Sequence, residues 1–352
     1  MKEALNHLKE ATCPEDIFGE LADETAVSET YRKLALLAHP DRGGDASLFV
    51  KLGFWRDEAR KRLTEGTYGQ RKAPFDAITL TVEGKALTLT GIRAEGLLAT
   101  IYDATYPVPE GFRAFVKIVR SPTDNDLLER EWNTLVALWR PDDNPDAERD
   151  FFAKQRVYTP RPLARFAILD AERRQRSGLV LGVPEGRCFS GKELREQKFP
   201  RGIEPKHVWW IWRRLLLTLW LAHLRGQVHG AVTPDHVLVY PEQHGLVLLD
   251  WCASAQRDKE AVLLADPQWK ALQPPELFEK VPATVPSDLY QAASTVLYLL
   301  GDEGNNVAEP IRRFIARCRD PKPGRRPQDA EHAHAVLGRL LGRREYSEFV
   351  VD

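Results

Sequence analysis

Two stretches of the chain carry polar side chains at spacings that could support chemistry. The longer one is VHGAVTPDHVLVYPEQHGLVLLDWCAS, at residues 228–254, and its pattern predicts two short strands on either side of a turn. Its polar residues would lie where the phosphates of a nucleotide could bind, and the carboxylate of Asp250 offers the oxygen that magnesium prefers. The shorter one is HPDRGGD, at residues 39–45, in which a rigid proline would expose a histidine and an aspartate at the tip of a hairpin.

The longer stretch resembles the catalytic loop and the metal-binding loop of the eukaryotic-type protein kinases. In that family a His-Arg-Asp triplet is followed by a lysine, then an asparagine, and about twenty residues later by the Asp-Phe-Gly triplet that holds magnesium. The same frame in this chain holds His229, Gly230, Ala231, Thr233, His236, Asp250, Trp251 and Cys252. The resemblance therefore covers the frame of both loops but few of the catalytic residues.

The replaced positions predict that this part of the chain transfers no phosphate. Ala231 cannot orient and deprotonate an attacking hydroxyl, because that task needs a carboxylate. His236 takes the place of the asparagine that completes the magnesium shell, and an imidazole suits zinc or copper better than magnesium. Thr233 brings no positive charge to a transferring phosphate. The resemblance thus implies a pseudokinase, with no catalytic residue and no metal site at these degenerate positions.

Three residues remain as candidates for binding a nucleotide. Lys117 lies in the predicted strand FRAFVKIV, Glu131 lies in the predicted helix DNDLLEREWNTLVAL, and Asp250 follows the catalytic loop. In active kinases the lysine and the glutamate form an ion pair that aligns two phosphates of ATP. In a pseudokinase the pair would persist because removing one partner leaves a partly buried charge. The sequence leaves both interpretations open.

The stretch ALTLTGIRAEGLLATIYDATY predicts a strand, a turn and a second strand at the place of the kinase glycine-rich loop. Glycines at that loop let backbone amides approach phosphates closely, but the three expected positions hold Ala94, Gly96 and Ala99. An ordinary hairpin is therefore at least as well supported as a nucleotide clamp.

Motifs beyond Asp250 predict that the kinase fold is kept. The stretches QPPELF, PSDLYQAASTVLYLL and RCRDPKPGRRPQDAEHA resemble the later segments of the family. The resemblance implies that Glu276 pairs with Arg326 and that Asp288 holds the backbone of the catalytic loop. The helix EPKHVWWIWRRLLLTLWLAHLRG is apolar nearly all round, as expected of a central helix, so its four tryptophans are predicted to lie in the core.

The first 66 residues are almost free of strand signals and predict the short helices KEALNHLKEA, EDIFGEL, SETYRKLALLA and ASLFVKLGFWRDEARKRL. Apolar residues at helical spacing predict the inner faces of the last two, with Val27, Tyr31, Leu34, Ala35 and Ala38 in the third helix and Phe49, Leu52, Trp55 and Leu63 in the fourth. Pro40 ends the third helix, because the residue before a proline avoids the helical region. The stretch TYRKLALLAHPDRGGD resembles the second helix and loop of the J domain of DnaJ-type co-chaperones. The Phe and Leu of that family's third helix follow at the expected distance.

The J-domain resemblance implies docking on a DnaK-type ATPase chaperone. In that family a basic helix meets an acidic surface of the chaperone, and the HPD triplet triggers ATP hydrolysis. The partner-binding residues would be Tyr31, Arg32, Lys33, His39, Pro40 and Asp41. A bare HPD triplet would also suit an ordinary turn at a helix end, and the pair Arg32 and Lys33 would also suit a solvated helix face.

Composition narrows the class of protein. A net charge of −1 favours neither nucleic acid nor an acidic membrane surface as a partner. The four cysteines lie far apart without a CxxC pair, which disfavours a zinc site or a disulfide framework and fits a reducing cytoplasm. The opening residues do not have the pattern of a signal peptide, and Arg213 and Arg214 interrupt the most apolar stretch, so neither a signal peptide nor a membrane span is expected.

The sequence therefore predicts a multidomain chain in which a small all-α J-domain helical hairpin precedes an α+β bilobal protein-kinase-like fold. The predicted parts are a J domain at 1–66, a linker at 67–78, a kinase-like small lobe at 79–183, a kinase-like large lobe at 184–345 and a tail at 346–352. The predicted function is that of a cytoplasmic co-chaperone and adaptor, whose inactive kinase-like domain binds a client or partner and requires no cofactor.

Two alternatives stay open at the level of sequence. One is a divergent ATP-dependent protein kinase or nucleotidyl transferase that uses Lys117, Glu131 and Asp250 with Asp235 as an unorthodox base. The other keeps ATP and magnesium as a ligand that stiffens the two lobes without turnover.

Overall fold

The computed structural model describes residues 8, 11, 13–19, 22–39, 44–64, 66–69, 75–141, 147–262, 266–342 and 347–351, without the side chains of 46, 47, 50 and 147–150. The chain divides into two compact units, Met1–Phe75 and Asp76–Asp352. This division falls inside the predicted linker at 67–78. Pro40 and Asp41 of the predicted partner-binding set lie outside the described residues, as does most of the first predicted helix.

The first unit contains the helices α1 (Glu15–Phe18), α2 (Glu24–Ala38) and α3 (Ala46–Thr64). Helix α2 begins four residues before the predicted stretch SETYRKLALLA, because the side chain of Asp23 accepts a hydrogen bond from the N–H of Ala26 at 2.8 Å. The helices α2 and α3 pack against each other across the connection at 39–45. A helical hairpin, as predicted, is the main element of this unit.

The core of the first unit follows the predicted helical spacing. Its buried side chains are Leu8, Phe18, Val27, Ala38, Leu48, Leu52 and Ala59, and the predicted face residues Tyr31, Leu34, Ala35, Phe49, Trp55 and Leu63 pack around them. Every apolar position from α2 and α3 that the periodicity placed on the inner faces therefore contacts this core.

A buried carboxylate fastens the end of the first unit. Glu15 lies 3.3 Å from the guanidinium of Arg62 and accepts the N–H of Gly69 at 3.2 Å. Burial would raise the pKa of Glu15, but these donors outweigh it and lower the pKa. The hydroxyl of Tyr68 donates to the carbonyl of Gly19 at 2.9 Å. Tyr68 and Gly69, at the start of the predicted linker, are thus held against the helices.

The second unit begins with an antiparallel sheet of six strands in the described residues, in the order β1-β2-β3-β4-β6-β5. The strands are β1 (Ile78–Val82), β2 (Lys85–Glu95), β3 (Ala99–Thr105), β4 (Phe112–Val119), β5 (Arg161–Leu169) and β6 (Gln175–Pro184). Helix α4 (Asn125–Trp139) packs on β5 and β6, and α5 (Ala147–Gln155) follows it. We call residues 76–184 the small lobe and residues 185–351 the large lobe.

The large lobe is mainly helical. Its helices are α6 (Gly191–Glu193), α7 (Pro205–Leu224), α8 (Val285–Leu300), α9 (Glu309–Cys318) and α10 (Ala330–Leu341). Its short strands are β7 (Phe189–Ser190), β8 (Gln227–Val228), β9 (Val237–Tyr240), β10 (Gly245–Leu248) and β11 (Ala255–Gln256). Short helical turns lie at Leu194–Lys198, Trp251–Ala253, Pro267–Leu272, Pro275–Glu279, Gly301–Asn306 and Pro323–Arg325. The central helix α7 packs against α8 and α10.

The tryptophans of α7 are core residues, as predicted. Trp209, Trp210 and Trp212 are buried, and Trp220 packs on Phe151 with ring centroids 4.2 Å apart. Within the described residues, no helix is both long enough and apolar enough to cross a membrane.

The last described segment, 347–351, folds back onto the large lobe. The ring of Phe349 stacks on His207 at a centroid distance of 4.3 Å, and Phe349 and Val351 are both buried. The carbonyl of Ser347 accepts a hydrogen bond from His244 at 2.9 Å. This part of the predicted tail is therefore packed against the lobe.

Candidate functional site

A cavity of about 640 Å³ lies between the two lobes. The small lobe lines it with the turn between β2 and β3 and with the strand β4, which carries Phe115 and Lys117. The large lobe lines it with residues that include Asp235, His236 and Asp250. A ligand in this cavity would therefore contact both lobes.

The structure brings the three candidate nucleotide-binding residues together. The ammonium of Lys117 lies 2.6 Å from Glu131 Oε2 and 2.5 Å from Asp250 Oδ1. His236 Nε2 lies 3.0 Å from the other carboxylate oxygen of Asp250, and the thiol of Cys252 donates to Asp250 Oδ1 at 2.6 Å. Both oxygens of Asp250 therefore already have partners within the chain. We call Lys117, Glu131, His236 and Asp250 the charged network.

Local structure explains how distant residues reach this network. Lys117 is held on β4, which is paired on both sides by β3 and β6, and Glu131 lies on the buried face of α4. Asp250 has a φ of 62° and a ψ of 66°, so the chain turns sharply after β10. The N–H of Trp251 then donates to Glu131 Oε1 at 3.2 Å. Glu131 thus binds a residue from each lobe.

The protonation states of the network follow from burial and neighbouring charge. Burial would lower the pKa of Lys117, but the carboxylates of Asp250 and Glu131 raise it well above its usual value. Burial would raise the pKa of Asp250, whereas Lys117 and His236 hold it well below its usual range. Burial raises the pKa of Glu131. Asp250 is therefore an anion between two basic side chains.

His236 is held in its charged form by two acceptors. Burial would lower its pKa, but Asp250 outweighs that effect and raises it. The ring nitrogen Nδ1 lies 2.7 Å from the carbonyl oxygen of Ala231, while Nε2 faces Asp250. Because both nitrogens face oxygen acceptors, we assign a proton to each of them.

Ala231 packs into an apolar cluster. Its neighbours there are Val228, Ala253, Ala255, Val262 and Ala283. Thr233 is also buried, and its hydroxyl has no hydrogen-bond partner among the described residues. The side chains of Ala231 and Thr233 are therefore both closed off from solvent by packing.

Asp288 holds the backbone of the loop, as predicted. Its carboxylate accepts the N–H of His229 at 2.8 Å and the N–H of Gly230 at 2.9 Å. Gln291 accepts the N–H of Val232 and donates to the carbonyl of Gly230, each at 2.9 Å. Sequence reasoning missed Gln291, although an amide inside the apolar pattern of α8 is a signal for such a role.

His229 is a structural residue of the loop. Its Nε2 lies 2.9 Å from the carbonyl of Leu249, and its Nδ1 accepts the N–H of Ala231 at 3.2 Å. The ring is fully buried, and burial lowers its pKa to about 4. His229 is therefore neutral and links the catalytic-loop position to the end of β10.

The predicted pair of Glu276 and Arg326 forms a two-pronged ion pair. Arg326 Nη1 lies 2.5 Å from Glu276 Oε1, and Nη2 lies 2.8 Å from Oε2. The side chain of Arg326 is fully buried. Such a pair fixes the segment after the loop against the helices of the large lobe.

The turn between β2 and β3 uses its own amide. The N–H of Gly96 donates to the carbonyl of Ala99 at 2.9 Å, and β2 pairs with β3 on either side of it. This amide is therefore occupied by the hairpin.

The alternative base Asp235 lines the cavity, but its Oδ2 accepts the indole N–H of Trp269 at 2.8 Å.

The first unit places its predicted partner-binding residues along α2. Arg32 and Lys33 are exposed, and the ring of Tyr31 lies under the guanidinium of Arg56 at 4.4 Å. The ring of His39 meets Phe49 edge-on at 4.9 Å and is half-buried. Sequence reasoning missed Leu36, which is 55% exposed one turn beyond the basic pair.

Solved structures share the architecture of the second unit. The structure of vaccinia related kinase 3 matches with a TM-score of 0.53 and 14% sequence identity, covering 77% of this chain and 92% of that one. The PknI kinase domain of Mycobacterium tuberculosis matches with a TM-score of 0.53 and 15% identity, covering 74% of this chain and 97% of that one. The second unit has the protein kinase fold. We call it the kinase-like unit.

These similarities concern the fold alone. A mutant form of the PknI kinase domain gives a TM-score of 0.55 at 14% identity, covering 75% of this chain and 98% of that one. No model of a protein family matches the chain, and no curated protein matches it in sequence. The bilobal kinase-like fold predicted from the sequence is thereby confirmed.

Proposed function

We propose that the protein is a J-domain co-chaperone and adaptor of the cytoplasm. In this proposal the first unit recruits a DnaK-type chaperone and stimulates its ATPase, while the kinase-like unit binds a client or partner without modifying it. The observation that supports an inactive kinase-like unit is that Lys117 and His236 bind the two carboxylate oxygens of Asp250. No cofactor is required for this function.

Two further contacts support an inactive kinase-like unit. Phosphoryl transfer needs a carboxylate next to the attacking hydroxyl and positive charge around the phosphate. Position 231 offers a methyl group that packs on Val262 and its neighbours, and position 233 offers a buried hydroxyl. Neither position therefore offers a proton acceptor at the place of the attacking hydroxyl or a positive charge beside a transferred phosphate.

The geometry of the first unit supports the chaperone-binding half. Arg32 and Lys33 lie exposed on α2, and Leu36 extends the same helix surface with an apolar side chain. The half-buried ring of His39 ends this helix beside Phe49. The exposed pair of Arg32 and Lys33 suits an acidic patch on a partner, because complementary charge speeds association and fixes register.

Joining both units on one chain would serve the proposed function directly. A client bound to the kinase-like unit and a chaperone bound to the first unit become neighbours by covalent linkage. Their effective concentration rises without any new contact between them.

The chaperone half is tested by measuring ATP hydrolysis of a DnaK-type chaperone with the full chain. The wild-type protein should raise the rate, and His39→Gln should return it to the unstimulated value. The matched control is His332→Gln, which changes an exposed histidine on α10 and should leave the stimulation intact. Thermal unfolding of each variant checks that it is folded.

Stimulation that survives His39→Gln would overturn the proposal. A second variant, Arg32→Glu with Lys33→Glu, changes exposed side chains only and should weaken the chaperone interaction through charge reversal. Full binding by this double variant would also count against the assignment of α2 as the docking helix.

A second candidate function is a divergent kinase or nucleotidyl transferase. The observation that favours it is that Asp235 lines the same cavity as Lys117 and Asp250, with Lys192 Nζ 3.8 Å from its carboxylate. The test is transfer of radiolabel from ATP to an acceptor by the wild-type protein and by Asp250→Asn. Label transfer that is lost in the variant would establish this function, whereas no transfer would remove it.

Binding of ATP with magnesium without turnover is a third candidate, favoured by the retained pair of Lys117 and Glu131 at 2.6 Å. A thermal-shift titration tests it. Stabilisation by ATP with magnesium that disappears in Asp250→Asn would support it, and no stabilisation of the wild-type protein would reject it.

A further inference from the structure

In the kinase fold family, the cleft between the lobes binds a divalent cation. The donor atoms in the cleft of this kinase-like unit do not suit magnesium. Magnesium needs a near-octahedral shell of oxygen ligands at about 2.1 Å, some of them from carboxylates. Asp250 offers one carboxylate, and Lys117 and His236 already bind both of its oxygens. Among the described residues, no group of three or more His, Cys, Asp or Glu side chains could hold a metal ion.

His236 lies where it can replace such a cation. Its ring reaches across from the loop, and its Nε2 lies 3.0 Å from Asp250 Oδ2. The carbonyl of Ala231 anchors its other nitrogen at 2.7 Å, so the ring has little freedom to turn away. A protonated imidazole therefore supplies positive charge to the same carboxylate oxygen that a metal would need.

The network joins the two lobes. Lys117 and Glu131 come from the small lobe, whereas His236 and Asp250 come from the large lobe. The link from Lys117 to Asp250, at 2.5 Å, and the link from the N–H of Trp251 to Glu131, at 3.2 Å, both cross the cleft. Each oxygen of Asp250 is thus used to connect elements of the chain.

An apolar contact joins the two lobes beside the network. Phe115 lies two residues before Lys117 on β4, so both side chains point to the same face of the strand. Phe115 is 2% exposed and packs in one cluster with Val183 of the small lobe and with Leu238, Tyr240 and Val247 of the large lobe. Phe115 therefore links the two lobes by apolar packing where it lines the cavity beside Lys117.

We infer that His236, together with Lys117, is a built-in replacement for the divalent cation, so that the lobes are clamped and any ligand of the cleft binds without a metal. The inference deepens the proposed inactivity of the kinase-like unit and rests on it. Asp250 becomes a structural anchor between the lobes, and His236 is a positioning residue that acts through it.

Manganese(II) is a suitable probe because it is paramagnetic and takes the same oxygen ligands as magnesium. The free ion can be counted by electron paramagnetic resonance in the presence of the full-length protein. The wild-type protein should leave the signal of millimolar manganese unchanged. Uptake of one equivalent that disappears in Asp250→Asn would overturn the inference.

Thermal unfolding tests the clamp itself. His236→Asn, measured in EDTA, should lower the Tm of the kinase-like unit by about 5 °C, because it removes the charge that holds Asp250. His332→Asn is the matched control and should leave the Tm unchanged, since its side chain is exposed on α10. A Tm of His236→Asn equal to that of the wild type would overturn the inference. The manganese measurement on the wild-type protein decides the question even where the variant does not fold.

The chaperone assay separates this inference from the proposed function. His236→Asn leaves the first unit intact, so it should stimulate the DnaK-type chaperone as the wild type does. If the wild-type protein does not stimulate the chaperone, the proposed function is rejected. The manganese measurement still tests whether Lys117 and His236 replace the cation.

Discussion

Two sets of residues around the loop of the kinase-like unit differ in the contacts that they make. Asp288, Glu276 and Arg326 each form at least two hydrogen bonds that hold the chain around the loop. The second set is Ala231, Thr233 and His236, at the positions that resemble the catalytic positions of the kinase family. Ala231 packs in an apolar cluster, Thr233 is buried, and His236 binds Asp250. The comparison teaches that the first set holds the loop in place, whereas the second set is turned into the interior of the unit or toward Asp250.

The largest expected effect comes from breaking the scaffold set. Arg326→Met should lower the free energy of unfolding by about 3–5 kcal/mol, because it leaves the partly buried carboxylate of Glu276 without its partner. Denaturant unfolding followed by tryptophan fluorescence measures this, since all the tryptophans except Trp55 lie in the kinase-like unit.

The matched control for the scaffold prediction is Arg312→Met. Arg312 also pairs with a glutamate, Glu309 at 2.9 Å, but both side chains are more than half exposed. Exposed pairs contribute about 0–1 kcal/mol, so a small loss is expected. Equal losses for the two variants would show that the buried pair has no special part in the fold.

Acid should weaken the loop through His229. The unfolded chain, in which a histidine has a pKa of about 6.5, takes up a proton between about pH 6.5 and pH 4. Folded His229, whose pKa is lowered to about 4 by burial, does not. Stability should therefore fall by about 3 kcal/mol across this window. Unfolding curves at about pH 7 and about pH 4.5 measure the slope.

A variant at position 229 sharpens the acid prediction. His229→Gln cannot titrate, so it should show a smaller loss of stability on acidification than the wild type. His236 has the opposite pH dependence, because its pKa is raised in the folded protein. Its contribution to stability is complete below about pH 6.5 and is lost as the pH rises above the folded pKa. An unchanged slope in His229→Gln would contradict the assignment.

The smallest expected effect concerns Gly230, at the position where the kinase family carries an arginine. Its φ is +76°, and an added Cβ would lie 2.9 Å from the carbonyl oxygen of Ala253 and 2.6 Å from Val262. Gly230→Ala should therefore cost about 2 kcal/mol, since the left-handed region strains an alanine. The family's arginine could not be restored here without moving the loop.

Gly338→Ala is the matched control for this glycine. Gly338 lies inside α10 with open space around it, so the change should be neutral or stabilise the protein by about 0.5–1 kcal/mol. A loss of similar size in both variants would show that the loop does not depend on the backbone of Gly230.

Much of the scaffold could be predicted from the sequence. Apolar spacing placed the inner faces of α2 and α3, and the all-round apolar pattern of α7 placed its tryptophans in the core. The pairs of Lys117 with Glu131 and of Glu276 with Arg326 follow from residue types at fixed places in a resembled frame. The spacing of apolar residues and the order of motif residues are properties of the chain itself, so they can be read from a single sequence.

The inner contacts of the cleft could not be predicted in the same way. The sequence showed that His236 replaces an asparagine, but not that its ring would bind Asp250, fourteen positions further on. Nor did it show that Ala231 joins an apolar cluster with Val262 or that Phe115 packs between the lobes. Such contacts depend on how the strands and loops fold over one another, and a single sequence gives no distances between side chains.

By itself, the sequence determined the absence of a carboxylate at position 231 and the presence of a kinase-like frame around it. Only the tertiary structure decided what the remaining charges do. Lys117 reaches one oxygen of Asp250 across the cleft, and His236 reaches the other within the large lobe, each at 3.0 Å or less. In a partly buried site a carboxylate is stabilised by such positive charge.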